Sequence, residues 1–405
     1  MSYPTDLGEN GRVMNQVFIV SAVRTAIGSF GGALRDIEPR SLAAAVAREA
    51  IRRSGVDPGA IGHSIFGQVI PTGPQDAYLA RAAAIDAGVP VEVPAMGVNR
   101  LCGSGLQAIL SAAQAIALGD CETALAGGAE VMSRAPFLLT NMRFGKRMGD
   151  DQVIDGLTGA LTDPFGRVHM GVTAENVAER CGISREEQDK WALLSHQRAA
   201  AAIADGRFVD QILPIEVWRG RKTEMFATDE HVRSDTTLDS LAALRAIFRD
   251  GGSVTAGNAS GINDGAAAVV LASEDALRRR DLKPLARIVS YGHAGVDPAL
   301  MGLGPIPATR SALKRAGLKV ADLDLIESNE AFAAQVCAVS DELGFDPDKV
   351  NPNGSGIALG HPVGATGAIL TVKALYELQR TGARRALVTM CIGGGQGIAA
   401  VLERV

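Results

Sequence analysis

Apolar and polar positions divide the chain into strand-like and helix-like segments that alternate. Val17-Phe18-Ile19-Val20 is a short apolar run that predicts a buried strand, and residues 41–54 carry apolar side chains at helical spacing before Gly55. A further strand near 95–98 leads into a helix that ends at Gly119, and residues 123–128 form another strand-like run. This alternation predicts an α/β protein.

The segment from about 132 to 262 differs from the rest of the chain in its composition and its apolar pattern. It contains both tryptophans, many basic residues and a helical pattern from Arg185 to Asp205. We interpret it as an inserted, largely helical region. The strand–helix alternation resumes from Pro284.

The two flanking parts resemble each other. Residues 50–55 (AIRRSG) have a counterpart in 312–317 (ALKRAG), residues 98–99 in 350–351, 108–110 in 368–370 and 123–125 in 385–387. We therefore predict a duplication: an N-terminal half at 1–131, completed by about 263–283, the insertion at 132–262, and a C-terminal half at 284–405. In this register the loop of Cys102 faces the loop of His361 across a shared cleft.

Composition narrows the class of protein. The 405 residues suffice for two or three domains, and 47% hydrophobic residues with 47 glycines and only 4% aromatics indicate a core of small side chains. The net charge of −5 and the lack of a long basic block, beyond the short run Arg278-Arg279-Arg280 at the end of a predicted helix, argue against a nucleic-acid partner.

The apolar pattern of the sequence also predicts no targeting signal. The first fifteen residues have no apolar core, and no uninterrupted apolar run reaches ~18 residues. We expect a cytoplasmic protein with no membrane segment, with Met14 as an alternative start. The five cysteines are too few and too scattered for a disulfide framework, and no C-x-x-C pair indicates a metal site, so a functional cysteine would act as a thiol.

Cys102 lies where a predicted strand meets a predicted helix. A thiol at a helix N-terminus lies beside free backbone N–H groups, which favour its thiolate. Two other interpretations remain open: a small buried hydrophobic residue, and the fingerprint Gly103-x-Gly105-x-x-Ala108 of a dinucleotide-binding turn. The second is disfavoured, because such a turn belongs in the first βα unit and needs an acidic residue about 20 positions later.

Three further loops carry candidate chemistry. His361 lies in the Gly/Pro-rich stretch 360–367 (GHPVGATG), where an imidazole can serve as a general base. Cys391 ends an apolar strand and precedes Ile392 and three glycines, Gly393 to Gly395, which suit a turn or an anion-binding nest. Asn329 in NEAFA follows a strand and can hold a water or a carbonyl oxygen.

Together and in this order, NRLCGSGLQA, NEAFA, GHPVGATG and CIGGGQG resemble the thiolase family, as do 169–178 (HMGVTAENVA) and 256–268 (AGNASGINDGAAA). The resemblance extends from about Val17 to Val405 and is greatest to acetyl-CoA acetyltransferases and broad-range β-ketothiolases of fatty acid and polyhydroxyalkanoate metabolism. It implies a five-layered α/β/α/β/α sandwich of two duplicated halves with an inserted loop domain, and a homotetramer built as a dimer of dimers.

The resemblance also implies roles. Cys102 would be the nucleophile, His361 its base, and Cys391 the acid and base at the α-carbon of the second acyl-CoA. His361 and a water on Asn329 would hold the enolate oxygen, and the N–H groups of Cys102 and Gly393 the acyl-enzyme oxygen. Coenzyme A and the acyl group would contact Leu161, His169, Met170, Arg233, Ala256, Ser260, Met301, Ala331 and Phe332.

The expected reaction is a reversible Claisen condensation or its thiolytic reverse, with CoA thioesters as substrates and no cofactor or metal. Two alternatives remain. A non-catalytic acyl-CoA carrier would not need two cysteines, and a decarboxylating ketosynthase of the same superfamily would carry a second histidine in place of Cys391. The preferred direction, acyl length and pathway are not encoded in these motifs.

Overall fold

Fifteen strands and twelve α-helices form the part of the chain described by a computed structural model, residues 15–405. The predicted alternative start at Met14 lies outside these residues. The strands are β1 (Val17–Thr25), β2 (Gly28–Ser29), β3 (His63–Gly67), β4 (Ala95–Val98), β5 (Thr123–Val131), β6 (Phe137–Leu138), β7 (Ile154–Asp155), β8 (Ile212–Leu213), β9 (Ile215–Arg219), β10 (Lys222–Phe226), β11 (Asn263–Ser273), β12 (Ala286–Gly295), β13 (Leu325–Ser328), β14 (Arg385–Ile392) and β15 (Gln396–Arg404).

The helices include the four predicted from apolar spacing and from the basic run at 278–280. They are α1 (Pro39–Ser54), α2 (Leu79–Asp86), α3 (Ser104–Leu118), α4 (Gly156–Ala160), α5 (Met170–Cys181), α6 (Arg185–Ala204), α7 (Leu238–Ala242), α8 (Glu274–Arg280), α9 (Pro305–Ala316), α10 (Ala333–Leu343), α11 (Gly356–Leu359) and α12 (Val363–Thr381).

The strand order repeats between the halves. One half runs β3-β5-β11-β1 with β4 outside β3, and the other runs β13-β14-β15-β12. In both, the first pair is parallel and the next two pairs are antiparallel. A short antiparallel contact of β1 with β12 joins the two sheets. This repeat confirms the predicted duplication, whereas the exact domain bounds stay a prediction.

Helices occupy three layers around the two sheets. Helices α1 and α2 pack against the first sheet, and α9 packs against the second with α10 beside it. Between the sheets, α12 contacts α3 as well as strands β5 and β11 of the first sheet and β13 and β14 of the second. The result is the predicted α/β sandwich of five layers.

Two glycines allow α3 and α12 to approach closely. A Cβ built on Gly105 would lie 2.7 Å from the backbone N of Ala368, and one on Gly367 would lie 2.4 Å from the backbone N of Leu106. Side chains at either position would force the helices apart, so glycine brings the two helix N-termini to one place. The loops that precede these helices carry Cys102 and His361.

Helix α3 is also strongly apolar. Among the described residues, the window Leu101–Leu118 is long and apolar enough, by length and composition, to cross a membrane, with a mean hydropathy of 1.5. Polar residues such as Gln107 and Gln114 interrupt this window, so it is not an uninterrupted apolar run, and the absence of a membrane segment stays a prediction. Of this window 61% is buried, as suits the middle layer.

The insertion between β5 and β11 is less helical than predicted. It holds α4 to α7, but also the small sheets β6–β7 and β9–β10 and the strand β8, which pairs with β1. A buried ion pair attaches it to the first sheet: Arg24 on β1 contacts Asp229 through Nη1–Oδ1 at 2.7 Å and Nη2–Oδ2 at 2.9 Å, with both side chains fully buried. Bidentate geometry of this kind fixes the relative orientation of the two side chains as well as the distance between them.

Candidate active site

A cavity of about 250 Å³ lies where the N-termini of α3 and α12 meet the end of β14. Its wall includes Cys102, His361, Cys391 and Gly393, which come from both halves of the chain. Most of the remaining wall is apolar, with Val69, Met132, Ala160, Ile262 and Val363 among its residues. The structure therefore brings four of the predicted groups together on the wall of one cavity.

Cys102 sits in a constrained turn before α3. The preceding Leu101 has a left-handed backbone with φ 46°, and Ser104 Oγ holds the turn by donating to Leu101 O at 2.6 Å and accepting from Arg100 N at 2.9 Å. A non-glycine residue in this region is strained and is retained only where its surroundings fix it. The turn aims the Cys102 side chain into the cavity.

The protonation state of Cys102 differs from the sequence-based expectation. Burial raises the pKa of the Cys102 thiol, although the backbone N–H groups of Gly393 and of Cys102 itself oppose the shift. The prediction that the helix N-terminus alone would favour the thiolate was wrong, because desolvation of a buried charge outweighs these donors. Burial therefore favours the thiol form of Cys102, and forming a thiolate there would require a base.

His361 is suited to be that base. Its backbone N donates to Asn263 Oδ1 at 2.9 Å, and its Nδ1 lies 2.7 Å from Thr366 Oγ1. The side chain is only 5% exposed, and burial lowers the pKa of His361 to about 4. The imidazole is therefore neutral near pH 7 and can accept a proton.

Asn329 lies beside Nε2 of His361 and is not among the residues that line the cavity. It follows β13 directly, its backbone N donates to Thr389 O at 2.9 Å, and its Nδ2 lies 3.4 Å from His361 Nε2. The Oδ1 atom is buried and has no hydrogen-bond partner among the described residues. A free buried acceptor beside the imidazole suits a bound water, and the role of Asn329 in holding one stays a prediction.

Cys391 is the last residue but one of β14 and is 1% exposed. Burial raises the pKa of the Cys391 thiol strongly, and the neighbouring Cys102 raises it further. The following Gly394 and Gly395 have φ values of 78° and 82°, so the chain turns back at once into β15 and presents the Gly393 N–H to Cys102. Burial thus favours the protonated form of both cysteines.

Comparison with known proteins decides the family. The thiolase N-terminal domain matches residues 17–275 and the thiolase C-terminal domain matches residues 282–404. The chain belongs to the thiolase family. The match removes the dinucleotide-binding interpretation of Gly103-x-Gly105-x-x-Ala108.

Curated relatives span nearly the whole of this thiolase. Beta-ketothiolase BktB of Cupriavidus necator is 62% identical over 392 residues, covering 96% of this chain and 99% of that protein. An acetyl-CoA acetyltransferase of Pseudomonas aeruginosa is 52% identical over 393 residues, covering 96% of this chain and 100% of that protein.

Solved structures agree with the fold. The Bacillus anthracis acetyl-CoA acetyltransferase superposes with a TM-score of 0.95 at 48% identity, covering 97% of this chain and 99% of that one. Human mitochondrial 3-ketoacyl-CoA thiolase in complex with CoA superposes with a TM-score of 0.93 at 46% identity, covering 96% of this chain and 98% of that one.

The residues predicted to contact coenzyme A and the acyl group fall into two sets. Seven line the cavity: Leu161, His169, Met170, Ser260, Met301, Ala331 and Phe332. Arg233 and Ala256 do not line it and are exposed on the insertion. The roles of all nine in this thiolase stay predictions.

Sequence reasoning missed Phe248, which completes an aromatic wall. Its ring stacks on His169 with centroids 4.8 Å apart and meets Phe332 edge-on at 6.2 Å. A Cβ on Gly171 would lie 2.3 Å from this ring, so the glycine makes room for it. Phe248 lies in an irregular segment after α7. The one sequence feature that could have indicated its role is that aromatic residues are rare in this chain.

Asn263 and Thr366 were missed as well, although both touch His361. Each lay within a motif already singled out, Asn263 in AGNASGINDGAAA and Thr366 in GHPVGATG. Within residues 15–405 no group of three or more His, Cys, Asp or Glu side chains could hold a metal ion.

Proposed function

We propose that this thiolase catalyses the reversible ping-pong Claisen condensation of two acyl-CoA molecules. With acetyl-CoA the products are acetoacetyl-CoA and CoA, and in reverse CoA cleaves a 3-ketoacyl-CoA. The observation that carries the proposal is the convergence of two neutral thiols and one neutral imidazole on a single cavity, with a backbone N–H donated to the first thiol. The relatives, a beta-ketothiolase and an acetyl-CoA acetyltransferase, support the same reaction class.

The first half-reaction acylates Cys102. His361 Nε2 takes the proton from Cys102 Sγ, and the thiolate attacks the thioester carbonyl of the first acyl-CoA. The N–H groups of Cys102 and Gly393 stabilise the tetrahedral oxyanion, and donors of this kind are each worth roughly 3 kcal/mol of barrier. The C–S bond to CoA breaks, and the departing CoA thiolate takes its proton from Cys391.

The second half-reaction forms the carbon–carbon bond. The Cys391 thiolate, now charged, removes a proton from the α-carbon of the second acyl-CoA, and the enolate oxygen is held by the protonated His361 Nε2 and a water on Asn329. The enolate carbon attacks the acyl-Cys102 carbonyl, the C–S bond to Cys102 breaks, and His361 returns its proton to the Cys102 thiolate. Every group ends in its starting state, so the cycle needs no redox partner, and we propose no cofactor or metal.

Substrate binding uses the mouth and wall of the same cavity. We place the thioester end of CoA along the His169, Phe248 and Phe332 rings and the acyl group against the apolar wall near Cys102. The nucleotide would lie over the insertion near Arg233, Ala256 and Ser260. The human neighbour solved with CoA supports CoA substrates for this fold.

The direct test is to mix the purified protein with acetyl-CoA and analyse Cys102 by peptide mass spectrometry. An acetyl adduct on Cys102, accumulating in Cys391→Ala and missing in Cys102→Ser, would support both assigned roles. Acetoacetyl-CoA thiolysis that survives in Cys102→Ser would refute the mechanism. Thiolysis of 3-ketoacyl-CoA substrates from C4 upward would then measure the acyl range.

Two exposed surfaces support a homotetramer built as a dimer of dimers. The edge strand β4 has no neighbour beyond it among the described residues and exposes Met96, so it can pair with a second copy. The segment 137–154 exposes Phe144 at 96% and Met148 at 89%, which is costly for a free surface. Light scattering of Phe144→Ser/Met148→Ser should show dimers where the parent protein gives tetramers.

We place the protein in the cytoplasm, with acyl-CoA substrates and no nucleic-acid or membrane partner. All five cysteines are free thiols, as suits a reducing compartment, and the two cavity cysteines must stay reduced for the mechanism. Fractionation of cells that produce the tagged protein would test this location.

A further inference from the structure

Thr366, on the first turn of α12, contacts Nδ1 of His361 and does not line the cavity. The distance from His361 Nδ1 to Thr366 Oγ1 is 2.7 Å, and both side chains are buried, at 5% and 2% exposed. Nδ1 has no other hydrogen-bond partner among the described residues. The hydroxyl is therefore the group that decides which ring nitrogen carries the proton of the neutral imidazole.

The direction of the Thr366 hydroxyl follows from its second contact. Its Oγ1 lies 2.9 Å from Pro362 O, and a carbonyl oxygen can only accept a hydrogen bond. A hydroxyl has a single proton, so once it donates to Pro362 O it must accept from Nδ1–H. The lone pair is then on Nε2, and the Asn329 Nδ2 donor at 3.4 Å from Nε2 agrees with this assignment.

We propose that Thr366 is a positioning residue that holds neutral His361 in the Nδ1–H tautomer, so that Nε2 can take the Cys102 proton. The inference rests on the proposed function, in which the Cys102 Sγ–H bond breaks and an Nε2–H bond forms. Without the hydroxyl, Nδ1 loses its acceptor and the ring proton can move to Nε2. That tautomer cannot accept a proton on the side that faces the cavity.

The test uses Thr366→Val, which keeps the shape and removes the hydroxyl, and Thr366→Ser, which keeps the hydroxyl. We expect kcat for acyl transfer to fall about 10- to 100-fold in the valine variant, within the roughly 10²- to 10⁴-fold that a positioned general base supplies. KM for acetyl-CoA should change by less than about twofold, because the hydroxyl does not line the cavity. Thr366→Ser should recover most of the rate.

Thr371→Val is the matched control. Thr371 lies in the same helix, is fully buried, and makes the same kind of bond to the carbonyl four residues before it, with Oγ1 to Gly367 O at 2.8 Å. It has no contact with His361 in the hydrogen-bond network. A merely structural role for threonine in α12 would lower activity equally in both valine variants, and that outcome would overturn the proposal.

A spectroscopic readout separates this inference from the proposed function. Nitrogen-15 NMR of the histidine-labelled full-length protein distinguishes the two neutral tautomers, and the His361 signals are those lost in His361→Asn. We expect Nδ1–H in the parent protein and a shift towards Nε2–H in Thr366→Val but not in Thr371→Val. An Nε2–H tautomer in the parent protein refutes the inference even if the enzyme turns over, whereas absent turnover with an Nδ1–H tautomer refutes only the proposed function.

Discussion

Replacing Gly105 by alanine tests the link between the helix contact and the chemistry. The new Cβ would lie 2.7 Å from Ala368 N and 3.1 Å from the carbonyl oxygens of Gly364 and Ala365, all backbone atoms of the neighbouring helix. Backbone cannot rotate away as a side chain can. The helices must separate by about 0.7 Å to restore ordinary contact at 3.4 Å.

The expected cost follows from two opposing effects. Overpacking of this kind costs about 1–3 kcal/mol, and the better helix propensity of alanine returns up to about 1 kcal/mol. We expect Gly105→Ala to lower the free energy of unfolding by about 1–2 kcal/mol. Because Cys102 and His361 precede the two separated helices, kcat for thiolysis should fall by roughly 10- to 100-fold, as misplacements near 1 Å do.

Denaturant unfolding and steady-state thiolysis of acetoacetyl-CoA measure both effects. Gly159→Ala is the matched control: Gly159 is exposed in α4, and a Cβ there meets nothing within 4 Å. That variant should be as active as the parent protein and at least as stable, because alanine favours the helix. If Gly105→Ala behaves like Gly159→Ala, the claim that close contact of α3 and α12 positions the active site is wrong.

Three further predictions follow from single contacts. Arg24→Met leaves the fully buried Asp229 unpaired and should lower the free energy of unfolding, measured with denaturant, by about 3–5 kcal/mol. The double variant Arg24→Met/Asp229→Asn should recover part of this loss, and an equal loss in both variants would contradict the argument from a buried ion pair. Since burial lowers the pKa of His361 to about 4, the acylation rate with acetyl-CoA should show no inflection at the ordinary pKa of 6.5 as pH falls, and a rate inflection near pH 6.5 would refute a neutral buried base. The contribution of neutral His361 to folding stability is complete above pH 6.5 and is lost as pH falls from 6.5 towards 4, because the unfolded chain then binds a proton that the folded chain does not. Ala160→Leu adds bulk to the apolar wall of the cavity and should lower kcat/KM for thiolysis of longer 3-ketoacyl-CoA substrates by roughly 10-fold or more, with little change for acetoacetyl-CoA. An equal loss of kcat/KM on all substrates would place the acyl chain elsewhere.

Sequence patterns predicted the elements better than they predicted contacts between them. The strands at 17–25, 95–98 and 123–131 and helix α6 lie where spacing placed them, because apolar period and caps are local properties. The mixed structure of the insertion was missed, since its strands are short and β9 and β10 expose most of their side chains. Short exposed strands leave little apolar pattern to detect.

The site residues show the same difference between local sequence features and contacts made by the assembled fold. Cys102, His361 and Cys391 stood out because glycine-rich loops surround them, but Phe248 reaches the cavity from a remote irregular segment. The pKa of Cys102 could not be inferred from its place before a helix, because the opposing effect is burial by both halves of the chain. Desolvation depends on the assembled structure and leaves no mark in the local sequence.

Burial favours the neutral form of the three titratable groups proposed to carry the chemistry, Cys102, His361 and Cys391. It raises the pKa of both thiols and lowers that of His361, so a charge pair between Cys102 and His361 is costly in this buried position. A bound thioester changes this balance, because the negative charge passes to a carbonyl oxygen that faces the N–H groups of Cys102 and Gly393. In the proposed mechanism proton transfer from Cys102 is therefore coupled to acyl transfer, and the same burial favours the less reactive thiol form of both cysteines.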